Sequence, residues 1–369
     1  MKIKKIMSVV IIFSCFKIAF ASDTLYRYLS SKGVINENEY KEFELKNKNF
    51  KSNIFFTLRY NYLDDENQSL TRQRVLYQFK TDFSYKIDDF ILNIGFASGD
   101  PNIPRSNFEN ITSNFSNKRI NLSVLNIVYG SEDKVKITAG KFKNNIWMSN
   151  WVLWDSDINL EGFAIEKKVG KFNFLGDLLI LNETANSYKD PYLLAYQSKF
   201  SDKNFELSAT YYDFHYIKGI SSTTFLARPN YKLNTIENGK YKYDYDVLIF
   251  DAKKGFKINS SKLELCVSYG LNTAVSKKRE IFYSGLNYSI KKFIFGFNYR
   301  RYDEDSFLDT YPDIAVFGGA IGIESYRYFG IYNINKNVSL SPYYIYSKTL
   351  RKFSIKPEKG FYIDVYLKI

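Results

Sequence analysis

"FIFGFNYR", residues 293–300, places Phe293, Phe295, Phe297 and Tyr299 at every second position, with Gly296, Asn298 and Arg300 between them. Successive side chains of an extended chain point to opposite faces, so this stretch reads as a strand with one aromatic and one polar face. Val75, Tyr77, Phe79 and Phe83 alternate in the same way with Arg74, Gln78, Lys80 and Asp82. At the chain's end Phe361, Ile363, Val365, Leu367 and Ile369 alternate with Tyr362, Asp364, Tyr366 and Lys368. A globular protein turns such an apolar face inward; a membrane barrel turns it outward and lines a wet interior with the polar face.

The connections decide between the two. Short polar turns at 86–89, 130–133, 168–171, 201–204, 259–262, 289–292 and 333–337 alternate with connections of uneven length, including 98–118, 142–160, 215–242, 303–317 and 348–359. Strict alternation of this kind predicts an all-β fold, a transmembrane antiparallel up-and-down β-barrel with short periplasmic turns and long outer loops. About sixteen strands of roughly 10 residues fit, the length that crossing a bilayer requires. The predicted spans are 52–62, 71–86, 89–97, 119–129, 134–141, 160–169, 171–182, 191–200, 204–214, 243–256, 262–272, 278–289, 292–302, 318–331, 337–347 and 360–369. Pro101, Pro104, Pro229, Pro312 and Pro357 fall in connections and Pro191 opens a strand; Pro342 alone sits awkwardly inside one. A barrel of ~16 strands encloses an aqueous channel rather than a packed core.

Residues 1–21 read as a secretory signal peptide: Lys2, Lys4 and Lys5, an apolar run from Ile6 to Phe13, and Ala19-Phe20-Ala21 before the cut. A lipoprotein site at Cys15 is the weaker alternative. Removal of residues 1–21 takes four lysines and no acid, so the formal net charge of +13 falls to +9. Only Cys266 then remains, and a lone thiol makes no internal disulfide. A basic exported chain is expected to meet outer-membrane lipid and lipopolysaccharide or anionic solutes rather than nucleic acid. Tyr and Phe, 32 of each, supply what a lipid-facing surface needs. Residues 22–50 read as a periplasmic N-terminal extension with two short helices around Gly33, and 51–369 as the barrel.

Two segments carry a resemblance. Leu25–Tyr40 resembles a leading pattern "L…L..KG.I…EY", and Gly140–Gly162 resembles a strand–loop unit "GK.K…W…WD.D.N.EG". On these the chain resembles the bacterial "putative porin" family of outer-membrane barrels, which implies a pore in the outer membrane of a Gram-negative bacterium and no particular solute. The C-terminal strand has the form that the barrel assembly machinery reads, with Ile369 where Phe is more usual.

The unit 140–162 also holds every tryptophan: Trp147, Trp151 and Trp154, followed by Asp155, Asp157, Asn159 and Glu161 at every second position. It follows the fifth strand and is the third outer loop. One reading folds it inward as the pore constriction, with indoles on the wall and the acidic series facing the lumen. The other leaves the indoles at the lipid–water boundary, where amphipathic rings collect. The acidic series, with Glu166, partly mimics a calcium loop, but Leu160 stands where such a loop needs glycine, so no metal or cofactor is expected. Parity assigns Arg59, Arg72, Arg74, Lys80, Asp82, Lys199, Glu264, Asn298, Arg300 and Asp364 to the lumen. The expectation is passive diffusion of small hydrophilic solutes with at most weak anion preference. A barrel this wide is compatible with a homotrimer, although no interface is legible. An adhesin binding partners through Arg228, Tyr231 and Lys232 of the 215–242 loop is the rival reading. The only histidine, His215, lacks the neighbours of a catalytic site, so no enzyme is expected.

Overall fold

The computed structural model describes residues 31–34, 36, 49–65, 70–111, 116–131, 134–149, 153–183, 189–225, 234–313, 315–350 and 356–369. The signal segment, both helices expected around Gly33, Trp151, and the loop residues Arg228, Tyr231 and Lys232 lie outside the described residues.

Sixteen strands form the wall: β1 Phe50–Asp65, β2 Leu70–Ile87, β3 Phe90–Ser98, β4 Ile120–Gly130, β5 Val135–Lys143, β6 Asn159–Val169, β7 Phe172–Ile180 and β8 Tyr192–Asp202. The second half comprises β9 Phe205–His215, β10 Tyr245–Ile258, β11 Ser261–Asn272, β12 Glu280–Ile290, β13 Phe293–Tyr302, β14 Ile323–Asn333, β15 Val338–Thr349 and β16 Glu358–Lys368. Each is antiparallel to its chain neighbours, and β16 returns to β1 in a register running from Phe55 opposite Lys368 to Asp65 opposite Glu358. The sheet is a closed barrel. Closure pairs the backbone polar groups that an open edge would leave bare in lipid. The short strand Phe108–Asn110, in the second outer connection, pairs with Leu76–Gln78 of β2 beyond the point where β3 stops pairing at Lys80–Ala97.

Two departures from the expected strands have local causes. The strand expected over 318–331 begins only at Ile323, because Gly318, Gly319 and Gly322 adopt φ of 65°, 83° and 70° and turn the chain. Pro342 does lie inside β15. It has no N–H, and the ladder to β14 stops at Phe329–Tyr343 and resumes at Tyr332–Leu340.

The outer surface carries the aromatic stripe: Phe293, Phe295, Tyr129, Phe163 and Phe250 are all exposed. The inner surface is not uniformly wet, which corrects the expectation of an aqueous interior without a core. On β7–β10 and β12 the inward positions near the outer ends are apolar and buried, among them Leu179, Leu193, Tyr212, Phe214, Tyr245 and Ile281. Their sequences ("LLI" 178–180, "YLLAY" 192–196, "VLIF" 247–250) are apolar on both parities, and a strand apolar on both faces is covered on both. Lipid covers one side; two long outer loops cover the other.

Candidate functional site: the interior passage and its inward loop

The third outer loop leaves β5 at Lys143 and enters the barrel. Its first half is tied to the wall by polar side chains. Trp147 exchanges backbone hydrogen bonds with Gln197, N–H to Oε1 at 3.0 Å and O from Nε2 at 2.7 Å. Lys199 Nζ sits 4.5 Å from the indole centre, and Lys199 and Lys253 both reach Glu206 at 2.6 Å. Ser149 donates to Asp251 Oδ1 from its N–H at 3.2 Å and from its hydroxyl at 2.9 Å. Asn145 Nδ2 donates to Asp177 at 3.1 Å.

The second half is held by an aromatic cluster. Trp154 is 1% exposed; it stacks on Tyr311 at 4.5 Å and meets Phe307 edge-on at 5.8 Å and Tyr212 at 6.2 Å. Tyr311 and Phe307 belong to the seventh outer connection, 303–322, which also folds inward and packs Leu308, Val316 and Ile321 into the same core. The N–H of Asp155 donates to the Tyr311 carbonyl at 2.8 Å. Trp147 and Trp154 therefore lie inside the barrel, and the lipid-boundary reading fails for both.

The acidic series splits up. Asp155 accepts the N–H of Asp157 at 2.9 Å, closing a tight turn. Asp157, at the tip, crosses to the opposite wall, where Gln78 Nε2 lies 3.1 Å from both its oxygens, Lys80 Nζ 2.5 Å from Oδ1 and the Asn107 N–H 2.9 Å from Oδ2. Asn159 pairs with Lys143 at the base of the loop. Glu161 corrects the expectation of a shared lumenal face: it lies on the outer face with Phe163 and Ile165 and pairs there with Lys141. The turn at 155–158 breaks the extended geometry on which a common face depended. Glu166 faces inward and pairs with Lys136 at 3.0 Å.

All ten parity-assigned residues lie on the inner face, in different settings. Arg59 and Asp364 are directly opposite across the closing seam and form a two-pronged pair at 2.7 and 2.8 Å, with the Tyr366 hydroxyl donating to the same carboxylate at 2.7 Å. Arg72 and Arg74 line an outward-opening cavity, and Arg74 Nε donates to Asn61 at 2.9 Å. Asp82 accepts from Lys143 at 2.5 Å. Glu264 accepts from Lys262 at 3.0 Å. Asn298 stands opposite Arg327 of β14, and Arg300 is buried beside Tyr283 on the filled side.

Among the described residues, two cavities lie along the wall of β1–β3 and β14–β16. The outer holds about 520 Å³ and is lined by Arg59, Arg72, Arg74, Arg105 and Arg327 opposite Asp155, Asp313 and Glu358. The inner holds about 710 Å³ and is lined by Lys143, Lys336 and Lys368 with Asp82. They meet at Gln78, Lys80, Ser156, Asp157 and Tyr366, which line both.

Sequence reasoning found the seventh connection but missed that it folds inward, although "FLDTYPDIAVFGGAI" (307–321) is too apolar for a solvated loop. It also missed Arg105, which is 2% exposed and donates from Nη1 to the carbonyls of Asp309, Pro312 and Gly319 at 3.2–3.3 Å. His215 lies on the outward parity of β9, stacked on Tyr192 at 4.4 Å and 3.0 Å from Asp213, apart from this interior.

Solved porins share the architecture. A variant of the porin of Rh. blastica superposes with a TM-score of 0.55 at 10% identity, covering 87% of this chain and 100% of its own. OccK5 (OpdH) of Pseudomonas aeruginosa gives 0.50 at 11% identity, covering 87% and 99%. At such identities the likeness is one of fold. No curated protein matches the sequence. The family model described as "Putative porin" matches residues 17–253, more than half of the chain, ending within β10, and with the closed sixteen-strand wall around it this chain belongs to the "Putative porin" family, an outer-membrane channel fold.

Proposed function

We propose that the chain is a passive diffusion pore for small hydrophilic solutes in the outer membrane of a Gram-negative bacterium, with a mild preference for anions. The observation that carries this reading is the pair of cavities, outer and inner, meeting end to end beside Lys80 and Asp157 along one wall. With loops 142–160 and 303–322 filling the other side, solutes are left a crescent rather than a round bore, and its narrowest point is the bridge from Asp157 to Gln78, Lys80 and Asn107. Cations outnumber acids along both cavities, but most acids stand within reach of a cation, so the selectivity is modest. The setting brings lipopolysaccharide against the outer rim and the barrel assembly machinery to the C-terminal strand, and association as a homotrimer is compatible with the exposed apolar wall.

The test is single-channel recording in planar bilayers under a KCl gradient. Stable current steps with a reversal potential displaced towards chloride support the reading. A folded, inserted protein without steps overturns the pore, and a displacement towards potassium overturns the anion preference alone.

A further inference from the structure

The three groups that hold Asp157 come from separate parts of the chain: Gln78 and Lys80 from consecutive inward positions of β2, and the Asn107 N–H from the second outer connection. One cation, one amide and one main-chain N–H converging on two oxygens make up a donor set suited to a free carboxylate. They stand where the outer and inner cavities meet. We propose that Gln78, Lys80 and the Asn107 N–H form a binding site for the carboxylate of a permeating solute, and that Asp157 occupies it as a built-in competitor. The inference rests on the pore reading above and names the solute class that pore selects.

Three observations favour exchange over a permanent bridge. First, the turn does not depend on Asp157's carboxylate. Its backbone is held by the Asp155 N–H to Tyr311 O, by the Ile158 N–H to Asp155 O, by the Asp157 N–H to Asp155 Oδ1 and by the buried Trp154. Rotation of one short side chain therefore frees the site without unfolding the loop. Second, Lys80 keeps 28% of its side chain exposed inside the passage, so an arriving anion can reach it. Third, the approach is cationic: Arg72 and Arg327 line the outer cavity, and neither makes an ion pair among the described residues. Arg327 is held in place by stacking 4.5 Å from the Tyr343 ring centre. A carboxylate drawn inward by these two guanidiniums meets Lys80 next, displaces Asp157, and is released into the inner cavity when Asp157 returns.

The experiment uses the full chain in planar bilayers, with KCl carrying the current and succinate as the probe. In the wild type succinate should reduce the current with a measurable half-blocking concentration. Asp157→Asn, which keeps the size and removes the competing charge, should lower that concentration at least tenfold. Lys80→Met should raise it at least tenfold in both backgrounds while KCl steps persist. Steps that persist with the same half-blocking concentration in all variants overturn the proposed site and leave the pore standing. Absence of steps from the wild type overturns pore and site together. Should Asp157→Asn not assemble, Lys80→Met decides alone: a tenfold rise supports the site and no change refutes it.

Discussion

Arg59 and Asp364 face each other across the seam where the last strand meets the first, and the carboxylate is fully buried. Removing one partner of a buried pair strands the other charge, at a cost of about 3–5 kcal/mol. Asp364→Ala should therefore lower the unfolding free energy of the detergent-folded barrel by about that amount, read as a denaturant midpoint moved to lower concentration at unchanged slope. Asp364→Ala combined with Arg59→Met should recover a large part of it, because both charges are then gone; a double variant no more stable than the single one would refute this account. Trp154 acts by a different force. Its indole is almost fully buried among Tyr311, Phe307 and Tyr212, so Trp154→Ala removes packing worth roughly 3–5 kcal/mol. That loss falls on the two loops and not on the wall. The expected result is faster proteolytic cleavage in 142–160 and 303–322 with the heat-modifiable gel shift retained; loss of that shift would mean that the loops hold the barrel together.

At the scale of elements, the strand–loop unit 140–162 shows what was legible and what was not. Its two bounding glycines are opposite each other on β5 and β6. Gly140 has φ of 116° and Gly162 of 148°, and a Cβ on either would stand 2.4 or 2.1 Å from a neighbouring backbone oxygen. Those contacts explain why the pattern begins and ends on glycine. Gly162→Ala should thus reduce the yield of folded barrel in refolding titrations, whereas Gly170→Ala, at a turn where a Cβ meets nothing within 4 Å, should cost less. Strand identity was legible because period-two alternation marks most strands, and where β7, β8 and β10 turn apolar on both parities the turns with their own polar residues still bound them. The direction of the indoles was not, since an amphipathic ring suits a lipid boundary and an interior equally well. Nor was the fate of Glu161: a common face for 155, 157, 159 and 161 needs an extended chain, and the turn closed by Asp155 and Asp157 inverts the parity before β6 begins.

For the whole molecule, the wall and the filling follow different rules. Closure of sixteen strands sets a width that side chains of the wall cannot fill, and the chain spends two loops on narrowing it. The seventh connection does this while joined to the third through the Asp155 N–H on the Tyr311 carbonyl and the Trp154–Tyr311 stack. It is pinned by Arg105 through three carbonyls, by Asn234 through hydrogen bonds to the Glu304 and Phe307 carbonyls at 2.9 and 3.0 Å, and by Asp305, which accepts from the Thr235 hydroxyl at 2.6 Å. Two neighbouring loops thus clamp it from either side, and its apolar face seals the filled half of the lumen. In the proposed pathway the crescent's cross-section is therefore set by this clamp as much as by the loop of tryptophans. Hydrogen bonds from a charged donor contribute about 1.5–3 kcal/mol, so Arg105→Ala should loosen 303–322 without unfolding a wall closed by its own ladders. The expected outcome in planar bilayers is a larger and noisier single-channel step than the wild type's, with a weaker dependence on the charge of the carried ion because solutes pass farther from Lys80 and Arg72. Asn234→Ala should act in the same direction with a smaller effect, since the amide is neutral. Steps of unchanged size and noise in both variants would mean that the aromatic packing around Trp154 and Tyr311 holds the seventh connection alone.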